Sequence, residues 1–189
     1  MHIALLNFKG GVGKSLIAHQ MICCFDFFGV ELDLYGNLNS RLPEKTIKVK
    51  HSLPNNLPEN VIFDCGGFDD KLVHEVIKVS DIIVVPFVPS FEAVQTTILT
   101  LNTLKAHLLQ KKIVFVSNMA TKNSMLKEAL KAFEAILHKD VVLFSLPHLQ
   151  SFQTAINENT SVLALAKKNK VYSKAAEMFE ELYTILKQV

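Results

Sequence analysis

The chain holds one arginine, Arg41, and draws the rest of its positive charge from 19 lysines. It has three cysteines, an odd number with no pair at metal-ligand spacing. That excludes a secreted disulfide framework. No apolar run reaches the length of a bilayer span, and the greasiest, Ile82 to Val88, is broken by Pro86. There is no internal repeat and no low-complexity tract. Met1 to Phe8 lack the basic start of a signal peptide and run directly into a glycine-rich turn. Together these absences exclude a secreted mini-protein, a collagen, a coiled coil and a channel. The expectation is a soluble cytoplasmic protein with reduced thiols.

What is present fits one globular unit. The 189 residues are 49% apolar and 20% charged, enough to bury a core and too apolar for global disorder. No domain boundary stands out, so residues 1–189 read as a single domain. Net charge is +2, unevenly spread: residues 1–110 carry −2 and residues 111–189 carry +4. A mildly basic C-terminal half permits an anionic partner without requiring one.

Apolar runs alternate with helix-period stretches. Strands are expected at His2 to Phe8, Val30 to Leu34, Val61 to Asp64, Asp81 to Phe87, Ile113 to Val116 and Val141 to Leu146. Helices are expected over Ser15 to Phe27, Asp70 to Val79, from a Ser90 cap to Leu108, and along Leu126 to Leu137. A helical patch begins at Ser151, and the last helix shows Ala175, Met178, Phe179, Leu182, Ile185 and Leu186. The proline-containing stretch from Arg41 to Asn60 reads as loop, with an edge strand at Thr46 to Lys50. Strands alternating with helices of ten or more residues predict an α/β fold: a doubly wound, mostly parallel sheet flanked by helices.

The first strand runs into Lys9-Gly10-Gly11-Val12-Gly13-Lys14-Ser15, and a helix follows. Glycines let a backbone wrap a phosphate and turn its N–H groups inward. The helix N-terminus adds partial positive charge. Lys14 is placed to reach the β- and γ-phosphates, and the Ser15 hydroxyl to ligate Mg²⁺. The strict G-x-x-x-x-G-K-[ST] pattern needs glycine at position 8, where this chain has Phe8; Lys9 comes next. The seven residues resemble the deviant Walker A box of the ParA/MinD family of ATPases, with Lys9 at the family's signature lysine.

Further segments resemble that family in the same order. Glu31-Leu32-Asp33-Leu34-Tyr35-Gly36-Asn37 is similar to its switch I pattern D-x-D-P-Q-G-N, with Glu31 for the first Asp and Leu34-Tyr35 for Pro-Gln. Asp64-Cys65-Gly66-Gly67 resembles the Walker B and switch II segment. Asp81 to Pro86, with Pro89-Ser90, resembles the A-D-x-V-x-x-P segment. Val116-Ser117-Asn118 resembles a strand end whose Asn contacts adenine, and Leu146-Pro147 the loop that also borders the base. Residues 38–60 and 148–189 carry the resemblance least.

The resemblance implies a P-loop NTPase sheet, Mg²⁺ and ATP/ADP as cofactors, slow ATP hydrolysis and a homodimer in the ATP state. It implies nucleotide contacts from Gly10, Gly11, Val12, Gly13, Lys14, Ser15 and Leu16, with Asn118 and Pro147 at the base. Ser15 and Asp64 become the metal residues, and Lys9, Lys14 and Asp33 the catalytic ones. The expected function is plasmid or chromosome partition, by a dimer that binds DNA non-specifically. A small centromere-binding partner protein would stimulate hydrolysis. Location would be cytoplasmic and nucleoid-associated. Because the loop's strand begins at His2, no N-terminal helix-turn-helix domain is expected.

Plainer readings stand beside these. Cys23, Cys24 and Cys65 read as small packing residues. The seven histidines are scattered, His148 alone falling near the expected base site. Lys167, Lys168, Lys170 and Lys174 form the densest basic cluster, either a solvated surface or a phosphate-contacting one, with Lys127, Lys131 and Lys122 as the next choice. A MinD-like membrane or cargo-positioning ATPase is the alternative. The acidic Glu177, Glu180 and Glu181 on the last helix count against a membrane helix. A nucleotide-locked scaffold with little hydrolysis is a third reading.

Overall fold

β-branched runs such as Ile82-Ile83-Val84-Val85 need both faces covered, and the chain supplies a helix after almost every strand. The computed structural model describes residues 1–67, 71–119 and 124–189, and of Ser124 the backbone only. Its strands are β1 (His2–Leu5), β2 (Phe28–Glu31), β3 (Thr46–Lys48), β4 (Val61–Asp64), β5 (Ile82–Phe87), β6 (Lys112–Asn118) and β7 (Val142–Leu146). Its helices are α1 (Lys14–Phe25), α2 (Leu38–Arg41), α3 (Lys71–Val79), α4 (Phe91–Leu108) and α5 (Ser124–Leu137). α6 (Gln150–Asn157), α7 (Val162–Lys168) and α8 (Ser173–Gln188) follow. The seven strands form one sheet in the order β3-β2-β4-β1-β5-β6-β7, and every described pair is parallel.

Alternation along each strand splits the core in two. Ile3, Leu5, Ile82 and Val84 face a layer built from Ile17, Met21, Val162, Phe179 and Leu182 of α1, α7 and α8. Ala4, Leu6, Ile83 and Val85 face α3, α4 and α5 through Val76, Leu101, Leu104 and Phe133. The second layer has an aromatic centre: Phe115 stacks on Phe133 at 4.7 Å, and Phe87 meets the Phe133 ring edge-on at 5.3 Å.

Several elements depart from the sequence expectation. β1 ends at Leu5, three residues short of Phe8, because Asn7 leaves the ladder to brace the following loop. β2 starts two residues early and stops at Glu31, so Leu32, Asp33 and Leu34 lie in loop. There Asp33 Oδ1 accepts from the Tyr35 N–H at 3.0 Å and makes a local turn, which a strand would forbid. The short α2 lies just ahead of the stretch expected as loop and shares only Arg41 with it, and the edge strand within that stretch is three residues long. β6 runs on to Asn118, two residues past expectation. The patch from Ser151 resolves into two helices, α7 starting at a Ser161 cap whose side chain accepts from the Ala164 N–H. Asp70, the expected start of the third helix, lies outside the described residues.

Phe133→Ala should cost about 3–5 kcal/mol, because it opens a cavity against two rings that have no room to collapse. Urea unfolding should show a lower midpoint at unchanged m-value. A loss below about 1 kcal/mol would contradict this packing.

Candidate nucleotide site

The loop between β1 and α1 is held from below. Asn7, fully buried, donates from Nδ2 to the Pro86 carbonyl (2.9 Å) and the Thr97 hydroxyl (2.8 Å), and its Oδ1 accepts from the Lys9 N–H (2.9 Å). The Phe8 N–H donates to the Thr100 hydroxyl at 3.1 Å. Thr97 and Thr100, three apart on α4, are also fully buried. Sequence reading missed all three. The available signal was a polar residue closing an apolar run, and two threonines on the apolar stripe of a helix.

Gly13 caps α1 with φ +97°, and a Cβ there would lie 2.0 Å from Asn118 Nδ2. Only glycine meets both conditions. Asn118 is thereby drawn against the loop. Its Nδ2 donates to the Val12 carbonyl at 3.1 Å and its Oδ1 accepts from the Met119 N–H at 3.0 Å. With both polar ends engaged, Asn118 acts here as a buttress of the loop. Pro147, half-buried, follows β7 beside it, Asn118 being in register with Leu146. His148 is exposed.

The two lysines of the loop are placed in opposite ways. Lys14 is buried, and its Nζ donates back to the Asn7 carbonyl (2.8 Å) and the Lys9 carbonyl (3.1 Å). Burial lowers its pKa, while the Asp64 carboxylate pulls it back up. Lys9 is exposed, and among the described residues its ammonium has no hydrogen bond or ion pair. Gly10, Gly11 and Ser15 are exposed, Val12 is buried and Leu16 is half-buried.

Asp64 ends β4 at 1% exposure, and neither of its oxygens has a hydrogen-bond partner among the described residues. Burial pushes its pKa up to about 6. The Ser15 hydroxyl beside it falls short of a formed hydrogen bond but, like Lys14, opposes the shift; Glu31 and Asp33 reinforce it. An orphaned buried carboxylate next to a hydroxyl at a helix N-terminus fits a hard divalent cation. Ser15 and Asp64 would hold Mg²⁺, which when bound supplies charge to neutralise phosphate oxygens. The loops flanking this point meet as well. The Leu32 N–H donates to the Asp64 carbonyl at 2.9 Å, and Gly66 stands over half-buried Asp33. Tyr35 in the same turn is 87% exposed.

The remaining candidates lie elsewhere. Cys23 and Cys24 are half-buried on α1 and Cys65 is buried; burial raises the Cys24 thiol to about 11. Lys167 and Lys168 close α7, Lys170 begins a single 3-10 turn and Lys174 lies in the first turn of α8; all four are exposed. Lys127 and Lys131 are exposed on α5, and Lys122 lies outside the described residues.

A parallel sheet with a loop of this shape at the carboxyl end of its central strand defines the P-loop NTPase type of α/β fold. More narrowly, the chain has the fold of the ParA/MinD ATPases. It superposes on McdA from Cyanothece with a TM-score of 0.71 at 12% identity, covering 98% of each chain. A Borrelia burgdorferi protein assigned to plasmid partition, bound to AMPPNP, gives 0.67 at 15%, covering 100% of this chain and 99% of that one. The septum site-determining protein MinD from Pyrococcus horikoshii, with Mg-ADP, gives 0.60 at 16%, covering 96% and 95%. No family model and no curated protein sequence matches the chain.

The raised Asp64 pKa makes a signed prediction. Between the ordinary 3.8 and about 6 the folded chain holds a proton that the unfolded chain has released, so stability falls as pH rises through that window. Asp64→Asn should therefore melt higher than wild type at pH 7.5 without ligand, by on the order of 3 kcal/mol, with the gain vanishing near pH 4. Thermal melts across pH check this. A variant less stable than wild type at pH 7.5 would contradict the orphaned carboxylate.

Proposed function

We propose that this chain is a ParA-type ATPase that binds Mg-ATP at residues 9–16, dimerises in the ATP state and partitions plasmid or chromosomal DNA. The opposed placement of Lys14 and Lys9 carries the reading. Lys14 is already folded into the loop, where phosphate oxygens would replace the two carbonyls it now contacts. Lys9 stands out in solvent with no hydrogen bond or ion pair among the described residues, as suits a lysine that completes the site of a second copy. AMPPNP and Mg-ADP in two structural neighbours support the choice of ligand. Asp33, beside the Asp64 loop, would orient the attacking water, a role that acts on the chemical step.

The dimer would bind DNA through Lys167, Lys168, Lys170 and Lys174, exposed together where α7 turns into α8. Phosphate contact needs no aromatic stacking and carries no sequence information. A small centromere-binding partner would stimulate hydrolysis and release the dimer, so the protein would be cytoplasmic and nucleoid-associated. α8 presents Glu177, Glu180 and Glu181 to solvent, which counts against docking of this helix on an anionic membrane surface. No helix among the described residues is long and apolar enough to cross a membrane.

Two substitutions separate the lysines. Lys14→Ala should abolish ATP binding in isothermal titration with Mg²⁺. Lys9→Ala should keep most of that affinity yet lose the ATP-dependent dimer in light scattering. A Lys9→Ala protein that dimerises as wild type would place the reading in error.

DNA binding should require ATP and fall steeply with salt. With about three phosphates contacted per protomer, the dimer's log–log slope should be near −5. Changing Lys167, Lys168 and Lys170 together to Ala should flatten it on any sequence. Fluorescence anisotropy on random duplexes, with ATP and with ADP, decides; equal binding in both nucleotides would break the link between dimer and DNA.

A further inference from the structure

The parallel pairing of β2 with the edge strand β3 sets Glu31 opposite Lys48. Glu31 is completely buried at the end of β2. Its Oε1 accepts from the Leu38 N–H at 2.8 Å and its Oε2 from the Asn39 N–H at 3.3 Å, so it holds the start of α2. Lys48 Nζ lies 3.6 Å from Oε2 and donates to the Gly36 carbonyl at 3.0 Å. A Cβ on Gly36 would sit 2.2 Å from Glu31 Oε1; glycine is what lets the backbone lie on the carboxylate. Asn39 Nδ2 adds a second tie to β3 through the Thr46 carbonyl (2.9 Å) and hydroxyl (3.1 Å).

These contacts fix the exit of the loop that carries Asp33. Its entry is fixed by the Leu32 N–H on the Asp64 carbonyl, and the Gly36 N–H closes it on the Asp33 carbonyl at 3.2 Å. A loop of five residues held at both ends has little freedom left at Asp33. Glu31 has two backbone donors of its own, so its burial does not depend on Lys48. The distinctive contribution of Lys48 is its grip on the Gly36 carbonyl.

We propose that Lys48, outside every phosphate-facing segment, is a positioning residue for hydrolysis: with Glu31 it clamps the 33–37 loop to the sheet edge and so sets Asp33. The assignment rests on the reading of Asp33 as the residue that orients the attacking water. A displaced orienting group costs rate and leaves ground-state binding alone, since Lys14 and the 10–16 backbone hold the nucleotide.

Lys48→Met keeps the aliphatic stem and removes the ammonium. With Mg-ATP it should bind as wild type by titration and lose roughly ten- to hundredfold in kcat. Hydrogen exchange at the amides of Tyr35 to Asn39 should quicken while α1 and the central strands stay protected. Lys48→Arg, which can still donate to the Gly36 carbonyl, should recover part of the rate. A Lys48→Met protein with wild-type kcat overturns the assignment. So does a joint fall of affinity, rate and melting temperature, the mark of a merely structural residue. If that variant does not fold, Asn39→Ala loosens the same loop through Thr46 and is read the same way. A wild-type protein with no turnover overturns the hydrolysis reading, and this assignment with it. That outcome is distinct from an active wild type whose Lys48→Met variant is equally active.

Discussion

The phosphate loop is wrapped around the ammonium of its own lysine. Lys14 Nζ is out of water, and what stabilises it are two carbonyls of the loop it belongs to, with the Asp64 carboxylate acting from a distance. A buried cation whose hydrogen bonds go to neutral carbonyls remains attractive to an anion. The rest of the site follows from that arrangement. Its lysine serves the loop as an internal strut, and Asn7, Thr97 and Thr100 hold the strut's footing.

The same arrangement gives the two faces of the site different characters. Inside, Lys14 and Asp64 sit close to the central strands, where low polarity amplifies every charge. Outside, the Lys9 ammonium and the Tyr35 ring stand in solvent, Lys9 with no ion pair among the described residues. Chemistry set by the protein's own interior is confined to the first group. The second group is free to respond to whatever approaches the loop end of the sheet.

Legibility in the sequence followed the range of the interactions. The loop from Lys9 to Ser15 was readable because its chemistry is local: glycines, lysines and a hydroxyl within seven residues. The sheet was readable from β-branched runs such as Ile82 to Val85. The end of β2 was not, because Leu32 and Leu34 suggest a strand while the Asp33 side chain makes a turn. α7 was not, because a seven-residue helix ending in lysines gives too little period to detect. Glu31 read as a substitute for another acid in a motif. Its contacts with the Leu38 and Asn39 N–H groups, and with Lys48 seventeen residues away and adjacent through the parallel register, required the fold. Asn118 was found by its place at a strand end, but its bond to Val12 required the fold.

The sheet ends on one side in β3, three residues long, with Lys45 and Lys50 exposed beside it and Lys48 turned to its own loop. A long, flat, apolar border would invite a neighbouring molecule to add strands side by side. This border is too short to template such growth, and although Lys45 is paired with Asp26, Lys50 adds an exposed cation beside it. On the β3 side, contact with a second copy is thereby left to side chains rather than to an extended backbone ladder.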